Sequence, residues 1–337
     1  MAKAAVLGAG GYLGGELLRL LSQHPGFTLT QVVSTSQAGR SLPEMYPNLP
    51  YPSELVALAS ADSVDADVAF LAQPAGEAMK VVPGLLDRGI KVVDLGPDYR
   101  LPDPAVYATT YGSPHTDVEH LAEAVYGLPE LNAERIRLSR LVANPGCFPT
   151  ASLLALAPLH RAGELRGPVV IDAKSGTSGA GQGFSATTHH PEAALTVHPY
   201  GTPTHRHVPE MRSALEAVGG PAPSLVFVPH LVPVVRGILC SIYPTPSEGA
   251  KVDGWADRLR AAYPSSPFVH VGGTPRLPWA TGTNHCYLSV QSAGGAPVLF
   301  SVIDNLGKGG AAQALQNANL MFGWPAETGL ALAGFGV

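Results

Sequence analysis

Cys147 stands in the segment NPGCFPT (residues 144–150), between a short apolar run and a mostly apolar stretch at 151–157. Proline suits the first position of a helix, so Pro149 predicts a helix that begins there. Cys147 would then lie just outside the helix N-terminus, where the helix dipole lowers the pKa of a thiol and favours the thiolate. The pattern predicts a nucleophilic cysteine. Cys240, in a strand-like apolar run, is typical of a packed hydrophobic residue.

A thiolate nucleophile works with a general acid or base, most often histidine. The candidate segment is THRHVPE (residues 204–210), in which His205 and His207 flank an arginine. Glu210 would orient an imidazole or cap the following helix. A metal site at the two histidines would need a further ligand, and no Cys-x-x-Cys or His-Glu-x-x-His motif accompanies them. The segment therefore predicts no metal, and it leaves the choice of histidine open.

A second group of residues with chemical meaning lies near the start of the chain. The apolar run at 4–7 meets a glycine turn, leucines follow at helical spacing, and a second strand is expected at 29–33. This order is the context of a dinucleotide site, in which glycines let backbone N–H groups approach a pyrophosphate. The residues predicted to contact the cofactor here are Gly8, Gly10, Gly11, Tyr12, Leu13 and Gly14.

The end of the second strand indicates which dinucleotide binds. An NAD site usually has Asp or Glu there, whereas this chain has Ser34, Thr35 and Ser36, with Arg40 nearby. Hydroxyls and an arginine suit a 2′-phosphate, which a carboxylate would repel. NADP is therefore the predicted cofactor, with Ser34, Ser36 and Arg40 as contacts. The alternative is that the serines form an ordinary polar loop.

The elements that must position these groups fall into two halves. Strand-like runs at 67–72, 90–95 and 141–143, with a helical pattern at 76–86, predict a Rossmann-type doubly wound α/β domain that binds NADP. Residues 96–114 look irregular. From Val169 onward, strands follow one another with few helices between, which predicts an α+β catalytic and dimerisation domain with a mixed or antiparallel sheet. The expected domains are 1–147 with a C-terminal helix in 309–337, and 148–308.

Two glycine-rich loops lie in the second half. The loop at 175–181 offers hydroxyls and bare N–H groups that suit an anion, and the loop at 304–310 opens the C-terminal helix, which is expected to pack on the first domain. Ordinary tight turns are the alternative for both. Arg206 and Arg236 carry planar guanidinium groups that pair with a carboxylate or a phosphate. The assigned contacts are Ser175, Arg206 and Arg236 for the substrate, and Ser178, Gly179 and Asn305 for the cofactor.

The composition excludes several classes of protein. Of 337 residues, 14% are charged and 45% hydrophobic, the opposite of a disordered chain. The net charge of -5 argues against a nucleic-acid partner, and the lack of any run of 18 apolar residues argues against a membrane one. The N-terminal run, with only Lys3, makes a poor secretory signal. Three cysteines make no disulfide framework, so a soluble, cytoplasmic protein is expected.

Over nearly its whole length the chain resembles the N-acetyl-gamma-glutamyl-phosphate reductases, members of the semialdehyde dehydrogenase superfamily. The specific motifs are the cysteine segment at 144–150 and His-Arg-His-x-Pro-Glu at 205–210. Further matching segments lie at 8–19, 38–40, 126–130, 175–181, 236–238 and 303–309. The family commonly has an Arg where Thr35 stands, so Arg40 would take its place at the 2′-phosphate.

The resemblance implies that Cys147 is the nucleophile and that a histidine of the His-Arg-His segment is the acid/base. It favours His207, which the family pairs with the glutamate that is Glu210 here, and His205 and Asn144 would support them. The implied reaction is NADPH-dependent reduction of N-acetyl-L-glutamyl 5-phosphate to the 5-semialdehyde and phosphate through a cysteine thioester, in arginine biosynthesis. The implied partners are a small acyl phosphate substrate and further copies of the chain, in a homodimer or homotetramer built through the second-domain sheet.

Three alternatives stay open. Aspartate-semialdehyde dehydrogenases perform the same chemistry on a shorter acid, but the His-Arg-His-x-Pro-Glu motif is not typical of them. The lysine-pathway reductases, which act on a carrier-protein-bound aminoadipyl phosphate, tend to lack the Asn144-Pro145 pair and Pro149 near the cysteine. The third alternative is a non-catalytic NADPH-sensing protein, which predicts an unreactive Cys147.

Overall fold

The computed structural model describes residues 1–334, which form two compact units. The first unit consists of Met1–Pro145 and Gly310–Ala331. The second consists of Gly146–Gly309 and the described residues from Leu332 onward. Residues 335–337, the end of the segment expected to belong to the first domain, lie outside the described residues.

The first unit is built on a seven-stranded sheet with the order β3-β2-β1-β4-β5-β7-β6. All neighbouring strands are parallel, and helices connect most of them, so the predicted Rossmann-type α/β fold is confirmed. The strands are β1 (Ala2–Leu7), β2 (Phe27–Val33), β3 (Ala57–Leu58), β4 (Val68–Leu71), β5 (Lys91–Asp94), β6 (Val125–Tyr126) and β7 (Leu141–Ala143). The helices up to Pro145 are α1 (Tyr12–Leu21), α2 (Leu42–Met45), α3 (Ala78–Asp87), α4 (Pro104–Tyr111), α5 (Val118–Glu123) and α6 (Pro129–Leu138).

Two glycines make the turn from β1 to α1 tight. Gly8 has φ +83°, and a Cβ at this position would lie 2.3 Å from the carbonyl oxygen of Ala72. A Cβ on Gly14 would lie 2.4 Å from the carbonyl oxygen of Gly8. Real side chains do not tolerate either distance, so only glycine allows α1 to start directly against β1.

The expectation that residues 96–114 are irregular is wrong, because α4 forms within them. Asp103 caps this helix by accepting a hydrogen bond from the N–H of Ala105 at 2.8 Å. Pro104 takes the first helical position, and Gly112 ends the helix in the left-handed conformation. These are ordinary start and stop signals. The density of Gly and Pro around them obscured a short helix.

The second unit is built on another seven-stranded sheet, with the order β12-β13-β14-β11-β8-β10-β9. Two pairs, β8 with β10 and β12 with β13, are parallel and the others antiparallel, so the predicted mixed sheet is confirmed. The strands are β8 (Val169–Ser175), β9 (His198–Pro199), β10 (Leu225–Leu231), β11 (Ile238–Tyr243), β12 (Val269–Val271), β13 (Cys286–Ala293) and β14 (Ala296–Ile303). The helices are α7 (Cys147–Arg161), α8 (Glu192–Leu195), α9 (His207–Gly219), α10 (Trp255–Ala262) and α11 (Leu277–Ala280).

Helix α7 is the central helix of the second unit. It packs against β11, β14 and α9, and its residues from Phe148 to His160 are all buried. In the sheet, residues of β8 alternate between buried and half-buried positions, as expected for a sheet with one covered face. No helix within residues 1–334 is long and apolar enough to cross a membrane.

The chain returns to the first unit through a helix near its end. A π-helical turn at Gly307–Ala311 leads into α12 (Ala312–Met321), whose residues are all buried. This helix packs on α6, α1 and β5. The Asn317 side chain donates hydrogen bonds to the carbonyl oxygen of Gly127 and to Oδ1 of Asn144, at 2.8 and 3.0 Å. α12 is therefore part of the core of the first unit.

Candidate active site

Cys147 is the first residue of α7, and Gly146 is its N-cap. The prediction that the helix starts at Pro149 with Cys147 outside it is therefore wrong by two residues. First-turn N–H groups have no acceptor within the helix, so Pro149 is tolerated inside the first turn. Cys147 still lies at the positive end of the helix dipole, which favours a thiolate. Its side chain is partly exposed, whereas Cys240 and Cys286 are buried.

The π-helical turn packs directly on the cysteine. A Cβ on Gly309 would lie 2.7 Å from Cβ of Cys147, so any larger residue would displace the nucleophile. The N–H of Gly309 donates to the carbonyl oxygen of Asp304 at 2.8 Å, which holds the turn in place. The glycine-rich loop at the end of β14 thus has a packing role at the site.

The first turn of α9 brings two further predicted residues to the start of α7. A Cβ on Gly146 would lie 2.6 Å from Nε2 of His207, so the imidazole lies against the backbone next to Cys147. Oε1 of Glu210 accepts a hydrogen bond from the N–H of Gly146 at 2.8 Å. Both side chains are buried. The contact of Glu210 with Gly146 was not predicted, because a bond between residues 64 positions apart leaves no local signal in the sequence.

His205 supports the start of α9. Its Nδ1 accepts the backbone N–H of His207 at 3.2 Å, which makes the imidazole a cap for the helix. Burial, with a smaller contribution from the positive charge of the exposed Arg206, lowers the pKa of His205 to about 4. His205 is therefore neutral at pH 7 and holds no proton on Nδ1. This arrangement suits a structural role for His205 and leaves His207 as the acid/base candidate.

Four predicted contacts from two separate loops meet in the second unit. Nδ2 of Asn305 donates to Oγ of Ser178 at 2.9 Å. A Cβ on Gly179 would lie 3.2 Å from Oγ of Ser175 and 3.7 Å from Nδ2 of Asn305. Ser175, Ser178 and Asn305 are all buried. The loops after β8 and β14 thus present hydroxyl and amide groups together.

The expectation of bare N–H groups in the loop at 175–181 is wrong. The N–H of Gly176 donates to the carbonyl oxygen of Gly237 at 2.9 Å, and that of Thr177 to Val234 at 3.0 Å. The N–H of Ser178 donates to Val235 at 3.1 Å. These donors hold the loop that precedes β11, so an anion here would rely on side chains.

Arg236 lies in that loop and is fixed by a buried carboxylate. Its Nη2 lies 2.7 Å from Oδ2 of Asp304, and its Nε donates to the same oxygen at 2.9 Å. Asp304 is completely buried, while the side chain of Arg236 is 21% exposed. A guanidinium held along one edge has a fixed plane, which is the geometry that suits an incoming carboxylate or phosphate.

The first unit has a cavity of about 530 Å³ beside the glycine turn. A Cβ on Gly10 would lie 3.0 Å from Oγ of Ser34 and 3.6 Å from Oγ of Ser36, so both hydroxyls face the turn. Glycines beside serine hydroxyls form a cradle that fits the phosphates and ribose of a dinucleotide. The residues that line the cavity are Gly8, Gly10, Gly11, Val33, Ser34, Thr35, Ser36, Ala72, Gln73, Pro74 and Glu77.

Several residues predicted to contact the cofactor are not in that lining. Tyr12, Leu13 and Gly14 belong to α1, and Gly14 serves the close packing of the turn. Prediction also missed Gln73 and Pro74, although they follow β4 at the carboxyl edge of a parallel sheet, where ligands of such sheets bind.

Arg40 is engaged by its own loop. Its Nη1 donates to Oε1 of Gln37 at 2.5 Å, and its Nη2 donates to the carbonyl oxygen of Glu44 at 2.9 Å. Arg40 is exposed and is not part of the lining of the cavity. Gln37 approaches the glycine turn from the same loop, with its Cγ 3.3 Å from the Cβ position of Gly10.

Asn144 holds together the end of β7 and the start of the last helix. It is buried, accepts from Asn317, and donates to the carbonyl oxygen of Gly310 at 3.3 Å. Its own carbonyl oxygen accepts from Nε of Arg100 at 2.8 Å. These contacts support the segment that leads to Cys147. Among residues 1–334, no three His, Cys, Asp or Glu side chains come together as a metal site would require.

Two family models match the chain. The model described as "Semialdehyde dehydrogenase, NAD binding domain" matches residues 3–139, and "Semialdehyde dehydrogenase, dimerisation domain" matches residues 147–305. Among solved structures, aspartate semialdehyde dehydrogenase II of Vibrio cholerae, complexed with ASA, has a TM-score of 0.71 at 17% identity, covering 96% of this chain and 98% of that one. The Candida albicans aspartate semialdehyde dehydrogenase with NADP has a TM-score of 0.66 at 18% identity, covering 95% and 99%. The fold and the site thus define an oxidoreductase of the semialdehyde dehydrogenase class.

Curated relatives specify the branch of that class. The N-acetyl-gamma-glutamyl-phosphate reductase of Desulforudis audaxviator is 45% identical over 99% of both chains. The reductase of the same name from Halorhodospira halophila is 44% identical over 98% of both. The chain therefore belongs to the N-acetyl-gamma-glutamyl-phosphate reductase family, and the resemblance found in its motifs is confirmed.

Proposed function

We propose that this enzyme reduces N-acetyl-L-glutamyl 5-phosphate with NADPH to N-acetyl-L-glutamate 5-semialdehyde and phosphate, in arginine biosynthesis. The main supporting observation is that Cys147 is the first residue of α7. His207 lies against the preceding residue, Gly146, and Glu210 accepts a hydrogen bond from the N–H of Gly146. The names of the 45% and 44% identical relatives support the choice of substrate. The cytoplasm is the proposed location, since substrate and cofactor are both small soluble metabolites.

The proposed reaction begins with the thiolate of Cys147. Its sulfur attacks the acyl carbon, the bond from that carbon to the phosphate oxygen breaks, and phosphate leaves with the bonding electrons. A thioester on Cys147 remains. NADPH, when bound, supplies the hydride that reduces this carbonyl. Hydride addition gives a hemithioacetal whose oxygen His207 protonates. His207 takes this proton back as the C–S bond breaks, so that the aldehyde leaves and the thiolate of Cys147 is regenerated.

The remaining predicted residues have proposed binding roles. Gly8, Gly10 and Gly11 with Ser34 and Ser36 would hold NADP through the pyrophosphate and the ribose, in keeping with the cavity that they line. Arg40 would reach the 2′-phosphate by exchanging its bond to Gln37. Ser175, Arg206 and Arg236 would contact the substrate, and Ser178, Gly179 and Asn305 the cofactor. The proposed NADP-binding domain is 1–147 with the C-terminal helix, and the proposed catalytic domain is 148–308. They correspond to the first and second units, except that residues 146–147, 309 and 332–334 belong to the second unit.

The test is the variant Cys147→Ser in the reverse assay, in which semialdehyde, phosphate and NADP give NADPH. Loss of phosphate-dependent turnover with NADPH binding kept is the expected result, because serine is a far weaker nucleophile at neutral pH. Near-normal turnover in this variant would contradict the proposal. Comparing N-acetylglutamate, aspartate and aminoadipate semialdehydes side by side decides the substrate, and no turnover with any of them would favour a cofactor-sensing protein.

A further inference from the structure

Asp304 has no role in the proposed reaction, yet its carboxylate makes several polar contacts. It is completely buried at the end of β14. Its Oδ1 accepts the N–H of Leu306 at 2.9 Å and that of Gly307 at 3.3 Å. Its Oδ2 accepts the N–H of Gly282 at 2.5 Å and the guanidinium of Arg236. The carboxylate therefore connects three separate segments of the second unit.

Two of those segments belong to the proposed site. Arg236 is a proposed substrate contact, and the turn that follows Asp304 contains Gly309, which packs on Cys147. The backbone at Gly237 is held as well: its N–H donates to Oδ1 of Asn305 at 2.8 Å, and its carbonyl accepts from Gly176. The segment that carries Arg236 is thus fixed at its side chain and at the next peptide.

The charge balance gives this contact a function beyond packing. A buried carboxylate without a cation is strongly unfavourable, so Asp304 keeps Arg236 close. Since the guanidinium is planar, its bonds to Asp304 along the Nε–Nη2 edge also set the direction of the opposite edge. An arginine oriented in advance loses less conformational entropy when it binds an anion.

We propose that Asp304 is the positioning residue that orients Arg236 for the phosphate or carboxylate of the substrate. The proposal rests on the proposed function of this site and adds a residue that acts through Arg236. Its consequence is non-additivity: once Arg236 is removed, the substitution at Asp304 has no further effect on anion affinity.

The experiment compares Asp304→Asn, Arg236→Met and the double variant in the reverse assay with inorganic phosphate. Each single variant is expected to raise the KM for phosphate or for the semialdehyde on the order of 10–100-fold, the cost of misplacing a binding group. The double variant is expected to match Arg236→Met. NADPH affinity is expected to stay within about twofold in all of them. A loss confined to the KM for phosphate or for the semialdehyde then indicates lost binding of the anion.

Asp257→Asn is the matched control, because Asp257 forms an exposed pair with Arg260 at 2.6 Å on α10. It removes a carboxylate from an arginine away from the site and is expected to leave KM unchanged. Additive effects in the double variant, or an unchanged KM in Asp304→Asn, would overturn the proposal. So would a loss of NADPH affinity equal to the loss of anion affinity, which would indicate general disorder of the unit.

Asp304 is deeply buried, so its variant can fail to fold. Arg236→Lys then carries the test, since lysine keeps the charge and loses the planar fork. It is expected to raise KM nearly as much as Arg236→Met, and a KM close to that of the wild type would count against positioning. Wild-type protein without phosphate-dependent turnover would instead overturn the proposed function. In that case thermal melting with added phosphate still decides the role of Asp304. Phosphate is expected to raise the Tm less in Asp304→Asn and in Arg236→Met than in the wild type, and to raise it fully in Asp257→Asn.

Discussion

The three thiols of the chain differ in exposure and in position. Cys147 is partly exposed at the start of a helix, whereas Cys240 and Cys286 are completely buried in the sheet. Burial raises the pKa of Cys240 to about 12, which keeps it a neutral thiol at any working pH. Only Cys147 therefore combines access for a reagent with the positive end of a helix dipole.

We expect iodoacetamide at pH 7 to modify Cys147 first and to stop at one thiol per folded chain. Mass spectrometry of the digested protein identifies the modified residue, and Cys147→Ser is the control that should stay unmodified. Slow modification of Cys147, no faster than that of the buried thiols, would contradict the nucleophile and favour a non-catalytic protein.

The two histidines of the His-Arg-His segment can be separated by substitution. His207→Asn is expected to lower kcat by about 10²–10⁴-fold, the usual contribution of a general acid/base. His205→Asn is expected to keep kcat within about threefold, because the Asn oxygen can still accept the N–H of His207. His205→Ala loses this cap and should lower the free energy of unfolding by about 1 kcal/mol. Turnover and thermal melting are measured for all three variants. A larger loss of kcat in His205→Asn than in His207→Asn would make His205 the acid/base.

At the residue scale, sequence was most informative where the chemistry is local. The cysteine segment and the His-Arg-His segment are contiguous, so their residue types could be recognised directly. The contacts of Glu210 with Gly146 and of Asp304 with Arg236 join residues 64 and 68 positions apart. Such pairs depend on how α9 and β14 pack, and one sequence does not contain that information.

Strand β5 ends at Asp94, whose buried carboxyl makes the stability of the protein depend on pH. Burial, and secondarily the negative charge of Asp98, raise the pKa of Asp94 from 3.8 to about 7, against the opposing charge of Arg100 and the N–H groups of Gly96 and Tyr99. An acid whose pKa is raised by folding stabilises the native state at low pH. Its contribution is complete below about pH 4 and is lost as the pH rises to about 7.

Asp94→Asn should therefore remove part of the pH dependence of stability. Between pH 5 and 8 the wild type is expected to lose about 2–3 kcal/mol of unfolding free energy relative to this variant, because about two of the roughly three pH units between the unfolded and folded pKa values fall in this range. Urea unfolding of both proteins at several pH values measures the difference. The exposed Asp87→Asn on α3 controls for the loss of one carboxylate. If the unfolding free energies of the wild type and Asp94→Asn changed with pH in parallel, Asp94 would not be the source of the pH dependence.

Element types were predictable where periodicity and length agree, and their ends were less so. The strand predicted at 141–143 is observed with the same bounds, since its apolar run coincides with the hydrogen-bonded segment. α7 was placed too late because Pro149 fits more than one position of a first turn. The N–H groups at 176–178 were expected to be bare because their acceptors lie in a loop more than 50 residues away.

At the scale of the whole molecule, the sheet of the second unit has one half-exposed face. Val226, Val170 and Tyr243 are register partners on adjacent strands, so their side chains share this face. The next register partners on this face are Val228 with Asp172, and His230 with Lys174. The Asp172 carboxylate contacts both His230 and Lys174, so these three residues form a polar cluster. Val226 and Tyr243 are each 44% exposed. An exposed apolar area beside polar side chains fits a protein interface, in which an apolar core has a polar rim.

We expect this face to join two copies of the chain, consistent with the dimerisation domain model that matches residues 147–305. Val226→Asp and Tyr243→Asp place a charge on it and should shift the protein to a smaller species, because burying an unpaired charge in an interface is costly. Size-exclusion chromatography with light scattering gives the mass of each variant. Val118→Asp, at a valine of α5 in the first unit that is 51% exposed, should keep the wild-type mass. A monomeric wild type, or an unchanged mass in both sheet variants, would place the contact between copies elsewhere.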